Sequence, residues 1–424
     1  MRIRTRIRTS SALPALPLAL GFVVLYYTEN THSQIDFFSM YPDASVLVQR
    51  PIESMYAFAY AVVSATAAWQ GARLKEARVW ESAPYRKTWQ IIAAALVPIA
   101  ALGWLMLLTP VVMAFVQTPA VPTVRSLLPL LLGMALTVAH ALIGFTVGQK
   151  VKPLVAAPVL LCLTFVAVAF SHAVETTWLR HLAGEYSAAL GFGESATLLS
   201  MLAQILPTTS LAVAAAAFWT GLSTVARLAV GASVVALCTA SSYLIVKDWG
   251  SNPPVSVSID RKCVGEGPRI CMPEGAQRVD QAKRAADETY RMLMSYGIID
   301  APPEAVHDTM LFGRFTQKPT AATRYLPLST AQREGSIEKY IIKDSARPAC
   351  RIPTTEESRK IRFWLDLKVN QTPTFESVST GDPYYTREKH SAIMGEVKKV
   401  SGLSAAGQKS WYRETAEKAC EGRP

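Results

Sequence analysis

Apolar residues fall into long, nearly unbroken runs over the first 246 positions and into short helical periods after that. A helix needs roughly 20 mostly apolar residues to cross a hydrocarbon core about 30 Å thick. Seven stretches approach that requirement, at 12–27, 53–72, 90–116, 126–147, 154–172, 206–224 and 229–246. The first is short and has Pro14 and Pro17 in its opening turns. The sixth is Ala-rich, and the apolar run 198–206 belongs either to it or to the interface, so the pattern reads as six or seven spans. Beyond the exit segment 247–260 (KDWGSNPPVSVSID), Val279, Ala282, Ala286, Tyr290, Leu293 and Met294 recur at three- and four-residue steps and predict a helix over 277–296, closed by Gly297. Ala301-Pro302-Pro303 opens a further segment, with Glu304 near its first turn. Residues 361–369 (IRFWLDLKV) alternate weakly and predict a strand, and 387–421 reads as helical. The fold class expected is a membrane all-α domain over 1–246, a linker over 247–260, and a small extracytoplasmic α+β domain over 261–424.

Charge sharpens the division. Of 43 Lys+Arg and 32 Asp+Glu, only 15 and 9 lie in residues 1–246. The chain is 18% charged, against about 25% for soluble proteins, and half of it is hydrophobic, which excludes a disordered chain and argues against a cytosolic enzyme. Orientation follows Lys/Arg bias in short loops. The N-terminus (Arg2, Arg4, Arg6, Arg8), the loop 73–88 (Arg73, Lys75, Arg78, Arg86, Lys87), the turn 148–153 (Lys150, Lys152) and the turn 225–228 (Arg227) are basic. The alternate loops carry Arg50, Arg125 and Arg180 singly. The alternation puts the N-terminus in the cytoplasm, the last domain outside and the protein in the plasma membrane. Residues 1–27 read as an anchor rather than a cleaved signal, because no convincing small-x-small cleavage site precedes Tyr26 and Tyr27. Tyr26, Tyr27, Trp80, Trp89, Trp178 and Trp249 suit interfacial positions.

Six cysteines divide by location. Cys162 and Cys238 lie inside spans as small packing residues. Cys263, Cys271, Cys350 and Cys420 form an even set in the outer domain and suggest disulfides, with three pairings open. Cys263–Cys271, closing a short loop around Gly265, Gly267 and Pro268, is preferred, and it leaves Cys350–Cys420. The rival is a four-cysteine zinc site, whose usual two-to-four-residue spacing is missing.

Candidate chemistry is sparse. The chain has no GxxxxGK[ST], HExxH, GxSxG or GxGxxG sequence. GFGESA at 191–196 lies between spans and reads as a loop. No catalytic residue, metal site or cofactor is expected, and the chain reads as a non-enzyme. His172 and His181, near Glu175 and Glu185, could serve a metal or a proton but read first as a wet interfacial loop. His140 is mid-span, where an ionisable group is a functional candidate by default. A neutral imidazole bonded to a neighbouring helix is the commoner role. Gly144 and Gly148 form a GxxxG pair that lets two helix backbones approach. His307 with Asp308, and His390 with Glu388, are sequence neighbours that do not by themselves make a site. Asn370-Gln371-Thr372 matches the N-glycosylation triplet, which matters only in a eukaryotic secretory pathway. The outer domain carries no dense cationic run, so nucleic acid is not an expected partner.

Four stretches carry a resemblance. The opening MRIRTRIRTSSALPALPLAL, the loop entry AAWQGARLKEARVW followed by Arg86, and the hairpin LIGFTVGQKVKPLVAAPVLL resemble bacterial integral membrane proteins of the ABC exporter permease type. RICMPEGAQ at 269–277 is similar to a cysteine-containing motif in the extracytoplasmic domain that ends some of them. The resemblance implies a subunit without catalytic residues, working with a separate cytoplasmic ATPase that docks on Arg73, Lys75, Arg78, Arg86 and Lys87, and paired in the lipid bilayer with a second permease or a second copy. The seventh span and large outer tail depart from that plan. The alternative is a membrane-anchored extracytoplasmic binding or sensing protein with no transport activity.

Overall fold

The computed structural model describes residues 10–33, 35, 42–82, 87–186, 189–274, 276, 278–315, 317–331, 335–346, 355–375 and 385–420. The chain divides into two units, Met1–Ser258 and Ile259–Pro424.

The first unit is helical. Its helices are α1 (Ala12–Tyr26), α2 (Ala44–Glu53), α3 (Met55–Glu76), α4 (Val79–Ser82), α5 (Thr88–Gln117), α6 (Leu128–Gly148), α7 (Pro153–Ala169), α8 (Thr177–Arg180), α9 (Leu198–Ala217) and α10 (Thr224–Val246). Among the described residues five helices are long and apolar enough to cross a membrane: Ala12–Thr31, Thr88–Gln117, Leu128–Gly148, Leu198–Ala217 and Thr224–Val246. Two of the seven expected spans fall outside that set for different reasons. Helix α7 is apolar but has 17 residues, about 25 Å at 1.5 Å per residue. Helix α3 has 22 residues, but it carries Ser64, Thr66 and Gln70 along its length and ends in Arg73, Lys75 and Glu76. It tolerates that polarity because most of it is buried against α5, α6 and α7 rather than facing outward. The sixth span also shifts. The Thr197 hydroxyl accepts from the Ser200 amide at 3.1 Å and starts α9 at Leu198, eight residues before the expected 206. The helix then ends at Ala217, ahead of Phe218 and Trp219.

Small residues set how closely α3 and α6 approach. A Cβ added at Gly144 or Gly148 would collide with the backbone carbonyls of Ser64 and Ala68, and one added at Gly71 with that of Phe145. The two helices therefore meet backbone to backbone along one face. Side chains close the rest of the contact. Gln149 Nε2 donates to the Gly71 carbonyl at 2.6 Å, Trp104 Nε1 of α5 to the Met134 carbonyl at 2.9 Å, and Tyr56 Oη of α3 to the Pro129 carbonyl at 2.8 Å. A two-stranded antiparallel ladder joins β1 (Glu194–Ala196) to β2 (Val255–Val257). The GFGESA segment is thus partly a strand, not wholly a loop.

The second unit is mixed. Strands β3 (Arg261–Val264), β4 (Arg269–Pro273), β5 (Ala305–Asp308) and β6 (Thr323–Leu326) form one sheet in that order. β3 and β4 are an antiparallel hairpin, whereas β4–β5 and β5–β6 are parallel. The segment opened by Ala301-Pro302-Pro303 is therefore strand β5. Helix α11 (Val279–Ser295) links β4 to β5 and buries Val279, Ala282, Ala286, Tyr290 and Leu293 as one stripe. Gly297, at φ +68°, closes it. Helices α12 (Ser336–Ser345), α13 (Thr355–Lys368), α14 (Arg387–Ser401) and α15 (Ala405–Cys420) complete the unit. Here one expectation is corrected: residues 361–369 are not a strand, since 361–368 form the second half of α13. Ile361, Trp364 and Leu365 fall at helical spacing and are fully buried. The polar first half, TEESRK, supplies Lys360 ion pairs to Glu356 and Glu357 that favour a helix. Trp364 lies at the centre of this core, 5.0 Å from the Tyr296 ring and 5.6 Å from Trp411, its Nε1 donating to Gln408 Oε1 at 3.2 Å.

Candidate functional site

Polar groups gather at the two ends of helix α3. At its N-terminal end Asp43 caps α2, accepting from the amides of Ser45 and Val46 at 2.8 and 3.1 Å, and its second oxygen accepts from Gly193 at 3.0 Å. The cap fixes α2, and α2 presents Gln49, Arg50 and Glu53. The amide of Gln49 donates to Glu53 Oε2 at 3.1 Å, and Arg50 stands 3.9 Å from the same oxygen. From the other side, the loop after α7 brings Ser171 and His172 to Glu185. The Ser171 hydroxyl and His172 Nε2, at 2.9 Å, both donate to Glu185 Oε1. Glu185 is 3% exposed, so these two bonds and the imidazole charge stand in for its lost water. Tyr60 Oη donates to the Gly184 carbonyl at 3.0 Å and holds that loop to α3.

Between these groups lies a cleft of about 500 Å³. Glu53, Arg50, His172 and Glu185 form its polar side, and Tyr26, Phe58 and Phe165 its aromatic side. Phe58 packs with tilted rings 4.9 Å from Phe165 and 4.5 Å from Phe22, which braces the wall. The hydrogen bond to Glu185 lifts His172 above the usual imidazole value, with burial working against it. Burial raises the Glu53 carboxyl, while Gln49 and Arg50 pull it down. The cleft thus sets two carboxylates, each beside a basic partner, against aromatic faces.

The sequence pointed to His172 and His181 together, and the structure gives them different partners while leaving them within electrostatic reach of each other. His181 is fully buried, with Nε2 donating to the Gly250 carbonyl at 3.0 Å and the ring edge-on to Trp249 at 5.3 Å. Burial lowers its pKa. Glu175 stays exposed. Among the described residues no three His, Cys, Asp or Glu side chains are placed to hold a metal ion. His140 stacks on Tyr60 at 4.7 Å, its Nδ1 lies 3.4 Å from Ser64 Oγ, and Thr164 Oγ1 reaches the same Ser64 oxygen at 3.5 Å. These contacts tie α3, α6 and α7 together beside the Gly144 crossing. Sequence reasoning missed Glu53 and Arg50. The signal was available: Glu53 is one of only nine acids in the first 246 residues and sits at the start of an expected span.

At the far end of α3, Arg73 and Lys75 occupy its last turn, where they complement the helix dipole. Arg78 follows, and Lys87 precedes α5. All four are exposed, and Arg86 lies outside the described residues. The short helix α4 between them is pinned by Trp80, which packs 5.0 Å from Trp219 and donates to Gln149 Oε1 at 3.3 Å.

In the second unit the Cys263–Cys271 disulfide is formed. Cys420 is also disulfide-bonded, and Cys350 lies outside the described residues. Cys162 and Cys238 are free thiols. Asp308 is wholly buried and caps the turn after β5, accepting from the Met310 amide at 2.9 Å, the Ser329 amide at 2.7 Å and the Ser329 hydroxyl. His307, next to it, belongs to the opposite face of the sheet. His390 Nδ1 pairs with Tyr385 Oη at 2.9 Å, while Glu388 points into solvent. Neither neighbouring pair forms an acid–base site. The chain matches no protein-family profile, no curated protein and no solved structure.

Proposed function

We propose that the chain is the multi-span membrane subunit of a transport system that works with a separate cytoplasmic ATPase. In this reading α3 and α7 cross the membrane with the five longer apolar helices, the N-terminus is cytoplasmic, and residues 259–424 are extracytoplasmic. The observation that carries it is the polarity of α3: a polar, aromatic-walled cleft at one end and a cationic surface at the other, joined by close-packed helices. A cleft of about 500 Å³ lies within the 300–1,000 Å³ range of small-molecule sites, and its lining offers paired charges on one side and aromatic faces on the other. The exposed Arg73, Lys75, Arg78 and Lys87 would meet an acidic face of the ATPase.

The test is a tagged purification of the full chain from gently solubilised native membranes, with mass spectrometry of co-purifying proteins. A stoichiometric ATPase that is lost from the R73E/K75E/R78E/K87E variant supports the reading. Its reproducible absence from the wild-type preparation overturns it. That result would turn attention to the second reading, an anchored extracytoplasmic binding protein, which the separate core and disulfide of the outer unit favour.

A further inference from the structure

The register of the outer sheet sets four side chains in one row. Cys263 pairs with Cys271 across the β3–β4 hairpin, Cys271 with His307 across β4–β5, and His307 with Tyr325 across β5–β6. Registered partners share a face and stand about 5 Å apart, so the disulfide lies directly beside the imidazole. Arg261 and Arg269, two residues before Cys263 and Cys271 on their strands, belong to that same face. The two sulfurs are not equivalent: Cys263 is exposed and Cys271 is 1% exposed. His307 stacks on Tyr325 at 5.8 Å, meets Phe312 edge-on at 6.0 Å, and leaves Nδ1 without a hydrogen-bond partner among the described residues. A cleft of about 580 Å³ lined by Ile259, Asp260, Arg261, Glu274, Leu311 and Phe312 opens beside the row.

We propose that Cys263–Cys271 is a thiol–disulfide exchange site, in which an incoming cysteine thiol attacks the exposed Cys263 and His307 carries the proton to the departing Cys271. The neutral imidazole takes the proton of the incoming thiol. The thiolate attacks Cys263 Sγ, the S–S bond breaks with its electron pair on Cys271 Sγ, and the imidazolium protonates that thiolate. One S–S bond forms and one breaks, and the oxidising equivalents come from the disulfide itself. A second thiol of the same class then releases a disulfide and leaves the dithiol. The positive field of Arg261 and Arg269 favours thiolate at both stages. Burial and those two guanidinium groups lower the pKa of His307, so it is neutral and able to accept a proton near pH 7.

The experiment uses the folded full chain in detergent, with two probes: reduced glutathione and a cysteine-containing apolar peptide. Free thiols are alkylated at timed intervals and located by mass spectrometry. The expected result is a mixed disulfide on Cys263 with alkylation of Cys271, well before the disulfide that holds Cys420 opens. His307→Gln should slow the reaction at least tenfold near pH 7 and abolish the rise in rate that follows imidazole deprotonation, while its unfolding temperature stays that of the parent. A faster peptide identifies a polypeptide thiol as the source, and equal rates a small thiol. The proposal is overturned if Cys263–Cys271 opens only on unfolding, if adducts form first at Cys271, or if His307→Gln keeps the parent rate and pH profile.

Discussion

Gly148→Ala is the sharpest perturbation of the helix bundle, because its neighbour cannot move aside. The added methyl would collide with the backbone carbonyl of Ala68, and α3 can relieve that only by shifting as a whole. Overpacking of this kind costs about 1–3 kcal/mol. Against it stands the higher helix propensity of alanine, worth about 1 kcal/mol. Gly21→Ala, on α1, isolates that gain, since nothing lies within 4 Å of its added Cβ. In a unit of about 250 residues each kcal/mol moves Tm by about 2–4 °C, so Gly148→Ala should melt about 2–12 °C below Gly21→Ala. A companion pair separates backbone from side-chain contact. At Gly103 the added Cβ meets the methyls of Val63 and Thr137, and trimming a side chain can make room. Val63→Ala should therefore rescue most of the loss in Gly103→Ala and none of that in Gly148→Ala. Melting followed by intrinsic fluorescence in a mild detergent reads all five variants. Equal midpoints for Gly148→Ala and Gly21→Ala would refute backbone-to-backbone packing of α3 on α6.

Glu185→Gln should remove a pH dependence as well as stability. His172 gains its raised pKa from Glu185, with Glu53 assisting and Arg180 opposing, so the pair stabilises fully below about pH 6.5 and loses its contribution as pH rises through the elevated value. The parent Tm should fall across that window and the variant's should not, and a parallel slope in the two would contradict the pairing. In the second unit, Trp364→Ala should cost about 3–5 kcal/mol, the range for a buried aromatic. Chemical denaturation of the full chain, followed in parent and variant by the near-ultraviolet signal of the retained Trp411 and Tyr412, measures it, and a loss under about 1 kcal/mol would mean the core closes without the indole.

Long apolar runs fixed the first unit well from sequence, since a helix of twenty apolar residues has few alternatives. The charge alternation between loops was equally plain. What escaped was the difference between crossing helices that face outward and helices that face each other. Hydropathy scored 53–72 and 154–172 like the rest, although α3 owes its place to small residues and buried hydroxyls. The error at 361–369 has a related cause: Ile, Phe and Trp side by side signal a strand locally, but the core contacts of Ile361, Trp364 and Leu365 lie one helical turn apart. The cleft was half legible. His172 and Glu185 drew notice as neighbours in a loop, whereas Glu53 and Arg50 reach the same place from more than a hundred residues away. The Cys263–Cys271 pair was legible from its short loop, but its alignment with His307 and Tyr325 was invisible, because that depends on parallel register between strands distant in the chain.

Helix α3 has a consequence for how the protein is made. A segment that leaves the insertion machinery alone is judged by its own transfer energy, and Arg73, Lys75, Gln70 and Ser64 weigh against α3 at that step. Its polar atoms become tolerable only when α6 and α7 supply Gly71's partner Gln149 and the Ser64–His140–Thr164 contacts, and those helices are synthesised more than fifty residues later. In the proposed topology, entry of α3 into the membrane is therefore tied to the arrival of its neighbours, and assembly of the bundle would run from its later helices back to its centre rather than strictly in the order of translation.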